Sequence, residues 1–191
     1  MAGRTSSKPR GQASIAYLAL LRGVNVGGAN RVEMARLRAV TEGLGFDDVR
    51  TYINSGNLLF RTASTDRAAL TDRLESAIEA EFGFRVPLLL WTANELARLV
   101  ASLPKDCADD ANTRCNVLFL WPEADKPEAI DGLPVNPEVD RVQYLPGAVV
   151  WQLDRAKATR SRLNKLVGTP FYRQISIRNS NTVRKLHALL Q

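Results

Sequence analysis

Apolar residues recur along the chain with two different spacings, and each spacing predicts a different kind of element. The continuous apolar run Ile15–Leu21 has the length of a strand and is typical of a strand buried on both faces. Residues 34–44 and 70–82 carry apolar side chains every three or four positions, which predicts two amphipathic helices. Glycines follow both segments and are typical helix terminators.

The same order of elements occurs twice in the sequence. In the first half the pattern predicts strands at residues 15–21, 49–53, 58–61 and 84–91, and helices at residues 30–44, 70–82 and 92–103. In the second half it predicts strands at residues 115–121, 142–145, 149–153 and 175–178, and helices at residues 126–133, 161–167 and 181–190. Both halves therefore read strand, helix, strand, strand, helix, strand, helix.

This order predicts an α+β fold of two tandem ferredoxin-like (α/β-plait, split βαβ) subdomains with antiparallel sheets, each followed by an extra helix. A doubly wound fold is disfavoured, because its strands alternate strictly with helices and contain no hairpins. The predicted boundaries are a disordered basic tail at 1–13, a first subdomain at 14–104, a linker at 105–113 and a second subdomain at 114–191.

Local signals refine the element ends. Asn30 with Glu33, and Thr92 with Glu95, both have the spacing of a helix capping box. Pro87 has no N–H to donate to a neighbouring strand, so the strand that contains it is predicted to lie at a sheet edge.

Charge is distributed unevenly over the 191 residues, whose formal net charge is +6. Asp154 is the last acidic residue, and nine basic residues follow it. Such a basic segment suits phosphate or nucleic acid, or it pairs with the acidic remainder of the same chain.

The two cysteines, Cys107 and Cys115, are too few for a disulfide framework, so a reducing, cytoplasmic location is expected. Cys115 opens an apolar strand and is expected in the core. No segment approaches the roughly 18 consecutive apolar residues of a membrane helix, so no membrane association is expected.

The richest candidate site is formed by the loop after the first strand and by the first predicted hairpin. In a split βαβ unit these two segments emerge at the same edge of the sheet. Together they could hold a phosphate, a carboxylate or a nucleobase edge through a cation, amides, a hydroxyl and glycine N–H groups. The candidate ligand-binding residues are Arg22, Gly23, Asn25, Gly27, Gly28, Asn54, Ser55 and Asn57. The alternative is that they only form tight turns, with Asn30 as a helix cap.

Several common chemistries are disfavoured. Gly23 and Gly28 have the spacing of a Walker loop, but Ala29-Asn30 stands where Lys-Ser/Thr is required. No metal or cofactor is expected, since Cys107 has only carboxylates nearby. His187 is the single histidine, so Ser-His or Cys-His catalysis would depend on it alone.

A weaker candidate is a nucleic-acid surface in the basic C-terminal segment. Its residues are Arg160, Arg162, Lys165, Arg173, Arg178, Arg184 and Lys185, with Trp151, Phe171 and Tyr172 as aromatic neighbours. The alternative places Trp151 and Phe171 in the core of the second half.

Three segments, LALLRGVNVGG, TYINSGNLLF and NTVRKL, resemble an uncharacterised bacterial family catalogued as domain of unknown function 1697. The resemblance runs from about Ser14 to the C-terminus. It implies two α/β-plait subdomains and supplies no activity, substrate or catalytic residue. Where the family pattern has an Asn-Trp pair before the last Asn-Thr-Val, this chain has Asn179-Ser180.

Three functions remain open from the sequence. The first is a cytosolic binding protein for a small anionic or nucleotide-like ligand or for RNA, acting at the edge formed by residues 22–30 and 54–57. The second is a metal-independent enzyme that uses the same edge. The third is a protein-interaction module whose basic half binds an acidic partner.

Overall fold

The computed structural model describes residues 14–28 and 30–191, which form two four-stranded sheets and four α-helices. The predicted tail at residues 1–13 lies outside the described residues. The strands are β1 (Ile15–Leu21), β2 (Asp47–Tyr52), β3 (Asn57–Thr62), β4 (Leu88–Thr92), β5 (Thr113–Leu120), β6 (Asp140–Leu145), β7 (Ala148–Asp154) and β8 (Ile175–Asn179). The helices are α1 (Met34–Gly43), α2 (Arg67–Phe82), α3 (Ala93–Ser102) and α4 (Ser180–Leu190).

Both sheets have the same strand order. The first sheet is ordered β2-β3-β1-β4 and the second β6-β7-β5-β8, with antiparallel neighbours throughout. In each half the first strand lies between the third and the fourth, which is the order of a split βαβ unit. The predicted α+β fold of two tandem α/β-plait units is therefore confirmed.

Helices α1 and α2 cover the outer face of the first sheet. Leu37 of α1 and Leu70, Leu74 and Ile78 of α2 are buried against the strands. Asp66 caps α2 by accepting from the Ala69 N–H at 3.0 Å, and the predicted Gly83 ends the helix with a left-handed φ of 79°.

Two details of the first half differ from the sequence predictions. The N-cap of α1 is Glu33 without a side-chain cap, and Asn30 instead donates to the Gly23 carbonyl at 3.2 Å. The fourth strand begins at Leu88 rather than at residue 84, although it lies at a sheet edge as Pro87 predicts. The predicted capping box of Thr92 and Glu95 is present at the start of α3.

The outer face of the second sheet is covered by short 3-10 segments instead of helices. The predicted helices at 126–133 and 161–167 are wrong: the chain forms single turns at Pro127–Ile130 and Leu163–Leu166. Prolines at positions 122, 127, 134 and 137 remove N–H donors and prevent a helix in the first of these connections. Further 3-10 turns lie at Pro122–Ala124, Arg155–Arg160 and Phe171–Gln174.

The inner faces of the two sheets share one core with α3 and α4. Trp91 of β4 meets Phe119 of β5 edge to face, with ring centroids 5.1 Å apart. Leu99 of α3 and Leu186 of α4 belong to the same cluster. Because this core draws side chains from both halves, the two plait units are packed against each other.

The segment that joins the two halves is fixed by bonds from the second half. Gln152, Asn181 and Arg184 donate to its carbonyl groups at 3.0, 2.7 and 3.3 Å. Cys107 and Cys115 form a disulfide with their Cα atoms 5.4 Å apart, and both are buried. Cys115 is therefore in the core as predicted, but the inference of a reducing compartment from the cysteines loses its basis.

Within the described part of the chain, no helix has both the length and the apolar character needed to span a membrane.

Candidate functional site

The loop after β1 and the hairpin between β2 and β3 lie side by side at one edge of the first sheet. Asn25 joins them: its side-chain amide donates to the carbonyls of Asn54 and Val32, both at 2.9 Å, and accepts from the Val32 N–H at 2.9 Å. The juxtaposition expected from the split βαβ order is therefore present.

Close packing between the loops requires a glycine at position 56. Gly56 has a φ of +70°, and a Cβ atom there would lie 2.6 Å from Val24 Cγ2 and 2.8 Å from Leu21 Cβ. Its carbonyl accepts from the Leu21 N–H at 2.8 Å. A side chain at this position would push the hairpin away from the β1 loop.

Arg178, on β8 of the second half, reaches across to the same edge. Its Nε donates to Asn57 Oδ1 at 2.6 Å, and its Nη2 donates to the carbonyls of Leu21 and Gly56 at 3.0 and 3.2 Å. Its Nη1 donates to Ser176 Oγ and the Ile177 carbonyl at 3.1 and 2.7 Å. All five N–H groups of the guanidinium have an acceptor, so Arg178 joins the two halves.

The charge of Arg178 is buried among neutral acceptors. The residue is 8% exposed, and none of its five acceptors is a carboxylate. Burial disfavours the charged form and lowers the pKa of the guanidinium to about 10. The side chain is still a cation at neutral pH, so an uncompensated positive charge lies just behind the loops.

A cavity of about 230 Å³ opens between the loops and β8, and we call it the loop cavity. Its lining consists of Leu21, Gly23, Val24, Asn25, Val26, Asn54, Ser55, Ile177 and Arg178. The side chains of Asn54 and Ser55 are exposed and form no hydrogen bond within the described part of the chain. The cavity thus combines a buried cation with an amide and a hydroxyl that are free to bind.

The predicted site residues divide into two groups. Gly23, Asn25, Asn54 and Ser55 line the loop cavity; Arg22, Gly27, Gly28 and Asn57 do not.

The residues outside the lining have other contacts. The guanidinium of Arg22 lies over the Tyr172 ring, 5.6 Å from its centroid. Asn57 is fully buried and donates to the Tyr52 carbonyl at 3.0 Å while accepting from Arg178. The cation that reaches the cavity is therefore Arg178 and not Arg22.

The backbone around the loop cavity is strained. Asn25, Asn30 and Ile53 have φ values of 56°, 50° and 48°. Asparagine tolerates this left-handed region, but a β-branched residue in it is a genuine outlier. Ile53 is also 48% exposed, so it gains little from burial to offset a cost on the order of 1–3 kcal/mol.

Three of the nine basic residues of the C-terminal segment form ion pairs within the described residues, with acids of the second half or of the joining segment. Arg155 bonds to Asp109 at 2.6 Å, Lys157 to Asp154 at 3.8 Å, and Arg160 to Glu138. Arg184 is exposed and donates to the Cys107 carbonyl. Arg162, Lys165, Arg173 and Lys185 are exposed, and none of them has an ion pair within the described residues.

Two members of the proposed nucleic-acid surface are buried. Arg178 is 8% exposed and its N–H groups are bonded within the protein, so it does not lie on an exposed nucleic-acid surface. Trp151 is completely buried, and its Nε1 donates to Asp140 at 3.0 Å, so it offers no stacking surface. Among the described residues, no group of three or more His, Cys, Asp or Glu side chains is placed to hold a metal ion.

The structural role of Arg178 is the feature that sequence reasoning missed. Its signal is an arginine two residues after Ser176 in a short strand, where alternate residues share one face and Ile175 and Ile177 lie on the other. A cation on the inner face of a buried strand indicates a specific internal partner, which here lies 121 residues away.

Comparisons with known proteins identify a family and a fold. The structure of the conserved bacterial protein SP0830 from Streptococcus pneumoniae is similar, with a TM-score of 0.80 and 28% sequence identity over 94% of this chain and 100% of that one. No curated protein matches the chain. The profile of a family described as "Protein of unknown function (DUF1697)" matches residues 15–151. The chain therefore belongs to the DUF1697 family.

Proposed function

We propose that the protein binds a small ligand through a phosphate or carboxylate group placed in the loop cavity. The observation that carries this proposal is Arg178, a buried cation without a carboxylate partner at the wall of an open cavity. A charge in such a position costs free energy until an anion compensates it.

The bound anionic group would be held both by electrostatic attraction and by hydrogen bonds. All N–H groups of Arg178 already have acceptors, so this residue would attract the anion through its charge at short range. The Asn54 amide and the Ser55 hydroxyl would donate hydrogen bonds directly. Bonds of this kind to a charged group contribute about 1.5–3 kcal/mol each.

The size of the cavity limits what can enter it. Its volume of about 230 Å³ lies below the roughly 300–1,000 Å³ of pockets that enclose a drug-sized ligand. A phosphate group or a short carboxylic acid fits, whereas a nucleotide would insert its phosphate and leave its base outside.

Strain in the loops supports the same assignment. Ile53 keeps an unfavourable left-handed backbone at the tip of the hairpin, directly before Asn54. Residues held in such conformations are concentrated at binding sites, where the strain preorganises the groups that contact the ligand.

The test is a thermal-shift and calorimetric titration of the protein with inorganic phosphate, acetate and a nucleoside monophosphate. At a ligand concentration of 100 times Kd we expect a stabilisation of about 2.7 kcal/mol. For a chain of this length that corresponds to a rise in Tm of about 5–10 °C.

The matched variants are Asn54→Ala in the cavity and Asn94→Ala on the exposed first turn of α3. We expect Asn54→Ala to weaken the binding of the anion about tenfold and Asn94→Ala to leave it unchanged. The proposal is wrong if no anion changes the Tm, or if both variants bind the anion as the parent protein does.

A further inference from the structure

A second and larger cavity lies between the two halves, away from the loop cavity. It has a volume of about 470 Å³ and runs between β4 and α3 on one side and residues 120–125 and 145–147 on the other. Its floor includes Trp91, Leu99, Leu120 and Leu145, each less than a tenth exposed. We call it the inter-subdomain groove.

A glycine keeps the walls of this groove close together. Gly147, in the β6–β7 hairpin, has a φ of +85°, and a Cβ atom there would lie 2.5 Å from the Trp91 ring. The second half therefore packs its hairpin directly onto β4.

Strand β4 presents one edge of its main chain to this groove. It lies at the end of the first sheet and pairs only with β1. The Arg22 N–H donates to the Pro87 carbonyl at 2.9 Å, so the ladder bonds to β1 involve Leu89 and Trp91 in alternation. The N–H and C=O groups of Leu88, Leu90 and Thr92 consequently point away from β1.

Among the three N–H groups of this outer edge, only that of Leu90 has no acceptor within the described part of the chain. Glu75 accepts from the Leu88 N–H at 3.1 Å, and Glu95 accepts from the Thr92 N–H at 2.9 Å. Leu90 lies between them, lines the groove and has no hydrogen-bond partner on its outer side within the described residues. Its side chain belongs to the outer core, so it is the main chain of Leu90 that faces the groove.

The charged side chains that line the groove suit the carboxyl-terminal end of a peptide. Arg98 is exposed and has no acidic partner in the described part of the chain, whereas Arg67 pairs with Glu95 at 2.6 Å. Asp125, on the opposite wall, accepts from the Tyr144 hydroxyl and the Gly147 N–H at 2.8 and 2.7 Å through one oxygen. Its other oxygen can accept from an amide.

We propose that the inter-subdomain groove binds the carboxyl-terminal segment of an extended peptide that carries an apolar side chain. The peptide main chain pairs with the N–H and C=O groups of Leu90, as in other cases of strand addition to an exposed sheet edge. The apolar side chain lies on the floor formed by Trp91 and Leu99, and the terminal carboxylate bonds to Arg98.

The test uses a tripeptide, acetyl-Val-Leu-Leu, with either a free or an amidated carboxyl terminus, in an NMR titration of the full-length protein. We expect the free acid to shift the Leu90 amide proton downfield and to bind about tenfold more tightly than the amide, because only the acid can pair with Arg98. In Arg98→Ala this preference for the free acid should disappear.

Two tryptophan variants at the end of α3 test whether the peptide binds in the inter-subdomain groove. Ser102 lines the groove, and its neighbour Ala101 is exposed but does not. Ser102→Trp should abolish the Leu90 shift, and Ala101→Trp should leave it unchanged.

Three results would overturn the proposal: an unmoved Leu90 amide at millimolar peptide, equal affinity for the acid and the amide, or equal binding by the two tryptophan variants. The loop cavity is tested separately, because Asn54→Ala should leave peptide binding intact.

Discussion

The outer faces of the two sheets are covered in different ways, although the sheets have the same strand order. The first sheet is covered by α1 and by the 16-residue helix α2. The second is covered by 3-10 segments of three to six residues. The comparison shows that strand order in a plait does not depend on the helical form of the connections; a connection has only to cross the sheet and bury its apolar face.

A buried carboxylate organises the cover of the second sheet. Asp140 is 2% exposed and accepts from the N–H groups of Asn136 and Arg162 at 3.0 Å each, from Ser161 Oγ at 2.5 Å and from Trp151 Nε1 at 3.0 Å. Helix α2 satisfies its own N–H groups by repeating helical bonds. In the 3-10 segments and loops that cover the second sheet, which we call the second cover, two main-chain N–H groups instead bind this one side chain.

The largest effect should come from truncating a buried leucine of α2. We expect Leu74→Ala to lower the free energy of unfolding by about 3–4 kcal/mol, since a regular helix collapses little into the cavity left behind. Leu166→Ala, an equally buried leucine of the second cover, should cost only about 2 kcal/mol, because a short 3-10 turn relaxes more easily. Urea denaturation measures both, and equal costs would show that the two covers are equally rigid.

A smaller effect is expected from Asp140→Asn, which replaces one acceptor oxygen by an NH₂ group that faces donors. The free energy of unfolding should fall by about 2–3 kcal/mol at pH 7. Hydrogen exchange should increase in residues 155–166 and remain unchanged in α1 and α2. Asp131→Asn, at an exposed position in the same half, is the control and should change neither quantity.

The effect of Asp140→Asn should also depend on pH. Burial alone would raise the pKa of the Asp140 carboxyl, but donors from Arg162, Ser161, Asn136 and Trp151 hold it below its ordinary value. A carboxyl with a lowered pKa stabilises the fold fully above the unfolded pKa of about 3.9, and the contribution is lost as the pH falls through the folded value. The difference in free energy of unfolding between the parent protein and Asp140→Asn should therefore shrink below about pH 4. A difference that stays constant with pH would contradict this explanation.

The smallest effects are expected when the N-cap of helix α2, or the cap of a 3-10 segment on the second sheet, is removed. Asp66→Ala removes the N-cap of α2 and should cost about 1 kcal/mol. Asp154→Ala removes the cap of the 3-10 segment Arg155–Arg160, where the side chain accepts from the Ala156 N–H. It should cost about 0.5 kcal/mol, because so short a segment has little helix dipole to stabilise. Thermal melts of both variants test this prediction: Asp66→Ala should lower the Tm more than Asp154→Ala, and the opposite order would contradict it.

Sequence patterns predicted the strands and the contact of the two loops, because both depend on short-range periodicity and on a common connection rule. The prediction failed in the segments that cover the second sheet. The apolar spacing of residues 161–167 is that of a helix, but the N–H of Arg162 and the hydroxyl of Ser161 donate to Asp140 instead. That competition depends on a residue 21 or 22 positions away. The cation of the loop cavity was missed for the same reason, since Arg178 and Asn57 are 121 residues apart.

The position of Arg178 also has a consequence for the order in which the protein matures on the ribosome. Domains generally fold from the N-terminus during synthesis, so both loops can assemble when only the first half has emerged. The guanidinium that completes the loop cavity is translated more than 120 residues after the hairpin it binds. A nascent first half therefore holds both loops without the charge of Arg178, and the anion binding proposed above would require the second half to have folded against it.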